Sequence, residues 1–141
     1  IAAVRRQLGT KDVNSVEFDP NTKNPVIFTM PDQLGKENTG GTMRLGNYDC
    51  KLDKKSKVYD LYGSENIVER HRHRYECNND YVDVINQSGI NIVGRNTERN
   101  LVEIIEGSDH PFYVASQFHP EFKSRPVRPH PLFAGFVKAL K

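Results

Sequence analysis

Ser116 to Phe122, SQFHPEF, is where this chain's residue types and spacing point to chemistry. His119 is followed two positions later by Glu121, at the end of the apolar run Pro111 to Phe118. That run has the aromatic and β-branched content of a buried strand, so the pair is expected where a strand opens into a loop. Side chains at i and i+2 there project to one side. The carboxylate can then take a hydrogen bond from one imidazole nitrogen, fix the tautomer and leave the other nitrogen as a base. A base of this kind needs a nucleophile, and cysteine is the natural partner because an adjacent imidazole promotes its thiolate. H-x-E by itself is a weak signal, since most histidines near strand ends are simply satisfied by hydrogen bonds.

The elements that would position this pair follow from the rest of the chain. Its 141 residues amount to about one domain, 36% hydrophobic and without tryptophan, so the core is modest. A net charge of +2 does not by itself imply nucleic acid. The negative mean hydropathy leaves no spanning helix of ~20 apolar residues. Two cysteines, Cys50 and Cys77, make neither a secreted disulfide framework nor a metal cluster, which fits a reducing, cytoplasmic setting. No signal peptide is visible. Ile1 to Leu8 before Gly9 has the look of the latter part of a helix without an N-cap, as expected of a piece of something longer.

Turn signals at 10–15 and 19–21 bracket Val16-Glu17-Phe18, and a strand is expected over 25–30. A polar loop over 32–38 ends in the double glycine Gly40-Gly41, which permits a tight turn. Tyr48 to Leu52 alternates like an edge strand, and a short helix is expected from Ser56 to Tyr62, stopped by Gly63. Over 67–77, period-two alternation places Arg70, Arg72 and Arg74 on one face and His71, His73 and Tyr75 on the other. Three guanidiniums in a row call for anions, and local salt bridges are expected for Arg70 and Arg72. Asn79 to Gln87 suits a helix stopped by Gly89, followed by a strand pair at 90–93 and 101–105. The tail carries Leu132, Phe133, Phe136, Val137 and Leu140 at helical spacing and is expected to pack as core. His110 and His130, each beside a proline, are expected in loops without function.

Five motifs occur in order from one end of the chain to the other: NSVEF at 14–18, GGTMRLG at 40–46, RHRHRYE at 70–76, QFHPEF at 117–122 and HPLFAGFVKA at 130–139. Together they resemble the glutaminase domains of the CTP synthase family, which are class I, triad-type glutamine amidotransferases. H-P-E is shared more widely in that class, whereas GGTMRLG and RHRHRY point to this family. The resemblance implies an α/β fold, the C-terminal part of a flavodoxin-like amidotransferase domain with a mixed sheet flanked by helices. It makes His119 the general base and acid and Glu121 its orienting carboxylate. It places Glu17 on the α-amino group of substrate glutamine, with valine where the family has threonine before it. Arg74 falls on the α-carboxylate, and Tyr75 adds a backbone contact. One fixed anion and one fixed guanidinium suit a free amino acid.

One part of the pattern is missing, because the family's cysteine lies in a G-x-C-L-G-x-Q elbow and no such motif occurs here. Its final glutamine would immediately precede Ile1, so the cysteine, the oxyanion-hole glycines and a synthase domain are expected upstream. Neither Cys50 nor Cys77 has an elbow around it. In the family, no cofactor or metal serves the glutaminase step; ATP and magnesium serve the synthase domain, which aminates UTP to CTP, and the assembly is a homo-tetramer. Nucleic acid and membrane are not expected partners. Two other readings remain: an amidotransferase-like regulatory module that has lost its cysteine, and an anion- or RNA-binding domain using Arg70 to Arg74. The low net charge and the lack of interleaved exposed aromatics count against the second.

Overall fold

The computed structural model describes residues 1–29 and 43–141; the expected loop at 32–38, Met30 and the Gly40-Gly41 turn lie outside the described residues. Helix α1, Ala2–Leu8, ends at Gly9 in the left-handed conformation. Strands β1 (Asn14–Ser15), β2 (Pro25–Thr29) and β5 (Tyr75–Cys77) form a mixed sheet, with β1 parallel and β5 antiparallel to β2. A second sheet has the order β4-β3-β6-β7-β8 and is antiparallel throughout. Its strands are β3 (Arg44–Leu52), β4 (Asn66–His73), β6 (Ile90–Asn96), β7 (Val102–Gly107) and β8 (Val114–Ser116).

Helices close both sides of this arrangement. Helix α2, Lys57–Tyr62, is capped locally, the Ser56 hydroxyl accepting from the Tyr59 N–H. Glu106 of β7 adds a carboxylate that accepts from the Val58 and Lys57 N–H groups at 2.7 and 3.3 Å. That carboxylate sits where the helix dipole favours negative charge. Helix α3, Val82–Gln87, follows a short 3-10 turn, and α4 spans Pro131–Ala139. One apolar cluster gathers Cys50, Leu52, Val58, Ile67, Val93, Ile104, Phe118 and Leu132 between the large sheet, α2 and α4. A second joins Val4, Val13, Val26, Cys77, Ile85 and Val102 under α1 and α3. No helix among the described residues is long and apolar enough to cross a membrane.

Several expectations are corrected. Tyr48 to Leu52 is not an edge strand: β3 begins at Arg44 and lies between β4 and β6. The strand expected over 111–118 is cut to Val114–Ser116 because 108–112 turns, and it is an edge strand, half-exposed rather than buried. The tail forms its helix, but most of it is not core. Leu132 is buried, whereas Phe136, Val137 and Leu140 are more than half exposed. Helix α4 sits close against α2: a Cβ at Gly135 would lie 2.6 Å from Leu61 Cδ1, so a larger residue there makes that side chain shift.

Candidate active site

His119 is the residue before a 3-10 turn, Pro120–Phe122, that follows β8. Its imidazole Nδ1 lies 2.6 Å from Glu121 Oε1. A carboxylate only accepts, so Nδ1–H donates and the bare lone pair is on Nε2. Glu121 is held below the usual carboxylate range, chiefly by this hydrogen bond, and therefore stays ionised as an orienter must. The His119 ring stacks on Phe122, centroids 4.9 Å apart. Both side chains of the pair are open to solvent, His119 at 37% and Glu121 at 55%, so a substrate or a further segment of protein can reach Nε2. The i, i+2 pairing expected at a strand end is present, but a tight turn creates it.

The other sequence-derived residues sit on the small sheet. Val16 N–H donates to Ile27 C=O at 3.0 Å, and Glu17 follows in an exposed turn. β1 and β2 run the same way, and Tyr75 pairs with Thr29 at the far end of β2. Glu17 and Tyr75 are thus at one end of the sheet, together with Arg74, which precedes Tyr75. Alternation over 67–73 holds: Arg70 and Arg72 are exposed and His71 is fully buried. The strand breaks at Arg74, however, where the chain passes from the large sheet to the small one. Arg74 is half-buried at that crossing. His119 joins the same neighbourhood, because its N–H donates to Arg70 C=O at 2.9 Å. The salt bridges expected for Arg70 and Arg72 do not form among the described residues; both face outward from an edge strand with no carboxylate opposite.

Inspection of the sequence missed the polar groups under this surface. Arg44 is 3% exposed, and its Nη2 lies 2.6 Å from Glu103 Oε1 and its Nη1 3.6 Å from Glu76 Oε1. Its guanidinium also covers the Tyr48 ring, 4.3 Å from the centroid. Arg44 faces both carboxylates, and the Arg99 charge also acts on Glu76. Burial raises Glu76 to about 7 and Glu103 to about 6 despite the guanidinium. Burial first, then the Arg44 charge, lowers His71 to about 3 and His73 to about 4, so both imidazoles are neutral. They are linked, His71 Nδ1 to His73 Nε2 at 2.8 Å, and His73 Nδ1–H reaches Tyr75 C=O at 3.1 Å. A buried chain therefore ends on the backbone of Tyr75, the first residue of β5 and the neighbour of Arg74. The signal available in sequence was the histidine face of 67–73; nothing local marks Arg44 or Glu103 as its partners.

His130 lies outside any helix or strand, as expected, but is not an exposed loop residue. It is 3% exposed and caps α4, its Nδ1 accepting from the Leu132 N–H. Its Nε2–H therefore points to Glu69 Oε1 at 3.0 Å, beside Tyr62 OH. Cys50 and Cys77 are buried, and burial pushes the Cys50 thiol up to about 12 and raises Cys77 as well. Neither is a reactive thiol.

With this geometry established, comparison with known proteins identifies the class. A family model described as glutamine amidotransferase class-I matches residues 11–139, and the chain belongs to that family. More narrowly, it is similar to CTP synthases. It is 54% identical over 140 residues to the CTP synthase of Caldanaerobacter subterraneus and 56% identical over 139 residues to that of Chloroflexus aggregans. Each match covers 99% of this chain, but only 26% and 25% of the relatives, so the chain spans about a quarter of their length. Among solved structures, the glutaminase domain of Trypanosoma brucei CTPS with bound acivicin superposes at a TM-score of 0.89 and 34% identity. That match covers 99% of this chain and 54% of that one.

Proposed function

We propose that this chain is part of the glutaminase of a CTP synthase, with His119 as base and acid, Glu121 as its orienter, and a nucleophilic cysteine supplied from outside this chain. The observation that carries the reading is the 2.6 Å contact from His119 Nδ1 to Glu121, which leaves Nε2 bare on a residue whose N–H is tied to Arg70 of β4. The exclusion of Cys50 and Cys77 by burial supports a nucleophile elsewhere. In this reading His119 Nε2 takes the proton of the thiol, the thiolate attacks the glutamine amide carbon, and the C–N bond breaks as His119 returns that proton to the amide nitrogen, which leaves as ammonia. Water deprotonated by His119 then hydrolyses the thioester to glutamate. Glu17 holds the substrate ammonium, Arg74 its carboxylate, and Tyr75 adds a backbone contact. The glutaminase step needs no cofactor. The ammonia passes to a synthase domain of the same polypeptide, which uses ATP and magnesium to aminate UTP, in a cytoplasmic homo-tetramer.

Arg74→Ala tests the assignment. Losing a charge-assisted pair worth about 1.5–3 kcal/mol is expected to raise the glutamine KM of the full-length enzyme roughly 10- to 100-fold. CTP formation from ammonia stays at the parent rate. Steady-state assays with each nitrogen source decide it: an unchanged glutamine KM, or equal loss with both sources, removes Arg74 from the substrate site.

A further inference from the structure

The turn that presents His119 is gripped at both ends by β4, and the residue behind the grip is a buried carboxylate. At the front, His119 N–H donates to Arg70 C=O at 2.9 Å. At the back, Lys123 reaches across the same strand, donating to Val68 C=O with its Nζ 3.9 Å from Glu69 Oε2. Glu69 is 2% exposed and points inward beneath Arg70. Its Oε1 accepts from Tyr62 OH at 3.0 Å and from His130 Nε2–H at 3.0 Å. His130 cannot give a proton elsewhere, since Nδ1 is occupied by the Leu132 N–H. The His130 N–H in turn donates to Ser124 Oγ at 3.1 Å.

Glu69 thus acts on the two residues that follow the turn by separate routes: on Lys123 through charge, and on Ser124 through His130. Both residues close the turn itself, the N–H groups of Lys123 and Ser124 donating to Pro120 C=O at 3.1 Å. The two donors to Glu69 are neutral groups, and among the described residues Oε2 has no hydrogen bond. A buried charge in that condition seeks the nearest cation, which is the ammonium of Lys123.

We infer that Glu69 and Lys123 form a clamp that positions the His119–Glu121 pair for glutamine hydrolysis, with Glu69 and Lys123 as positioning rather than catalytic residues. The inference rests on the function proposed above. A displacement of the order of 1 Å at a catalytic group costs up to about 100-fold in rate, so releasing one end of the turn matters without altering substrate contacts.

The test uses the full-length enzyme with Lys123→Met, Glu69→Gln and the double variant. Lys123 is partly exposed, Tm measured alongside separates any loss of stability from a loss of kcat, and Lys123→Arg keeps the charge. Glutamine-dependent kcat is expected to fall about tenfold or more in Lys123→Met and Glu69→Gln. Glutamine KM should stay within about twofold and the ammonia-dependent rate should be unchanged. Lys123→Arg should restore most of kcat, and the double variant should be no worse than the poorer single, because one clamp is broken either way. A raised KM with kcat intact, or a lower Tm with kcat intact, overturns the clamp while leaving the function standing. A parent enzyme with no glutamine-dependent activity overturns both.

Discussion

His119→Ala in the full-length enzyme is expected to abolish glutamine-dependent CTP formation while synthesis from ammonia continues at nearly the parent rate. The geometry sets this contrast. Nε2 is the one bare nitrogen of His119, and Glu121 is an exposed carboxylate held ionised by the hydrogen bond from Nδ1–H, so nothing else in the turn can take over proton transfer. Removing the base of a nucleophile–base–orienter set costs about four orders of magnitude or more. Glu121→Gln should lose less, because the imidazole remains while its tautomer is no longer enforced. Parallel assays with glutamine and with ammonium chloride measure the contrast. Equal loss of the two activities would show that His119 supports the fold rather than the reaction.

The largest effect on stability is expected at Arg44. Substituting Met leaves Glu76 and Glu103, each 1% exposed, without their shared cation. Removing one partner of a buried ionic cluster destabilises by about 3–5 kcal/mol. The pH dependence of that loss has a definite sign. Both carboxyls already titrate above the ordinary 4.5 in the folded protein, at about 7 and about 6. Without the guanidinium they move higher still. A carboxyl whose folded pKa exceeds its unfolded value costs stability as pH rises from about 4.5 through the folded value. The Arg44→Met deficit should therefore be largest near pH 8 and shrink toward pH 5. His71 and His73 reinforce the trend, since Arg44 helps to depress them and its loss lets them accept protons more easily. Urea midpoints of variant and parent at pH 5 and pH 8 test this, and adding Glu76→Gln and Glu103→Gln should recover part of the loss. A deficit that grows on acidification would show that Arg44 is not countering these carboxylates.

What was legible in the sequence was local. Gly9 and Gly63 ended helices where expected because a left-handed terminus needs no distant partner. The two faces of 67–73 were also legible, since alternation is a property of one strand. The candidate base and its orienter could be found because two residues apart is within reach of any tight turn. What was not legible depended on which elements met. Arg44 lies 59 residues from Glu103, and no periodicity marks the pair. The break at Arg74 reflects the passage between two sheets, which an unbroken alternation hides. The apolar spacing of α4 suggested a buried face, yet its docking against α2 buries little beyond Leu132 and Gly135.

The burial of Cys50 and Cys77 also bears on chemical labelling of the full-length protein. Both thiols are shut away from solvent and protonated at neutral pH, so a thiol-selective alkylating reagent has no thiolate to attack anywhere in these 141 residues while the fold holds. Any adduct formed on the native protein maps to another part of the polypeptide. A peptide map after brief labelling would thus test for the proposed nucleophile with no contribution from these 141 residues, Cys50 and Cys77 appearing only after denaturation.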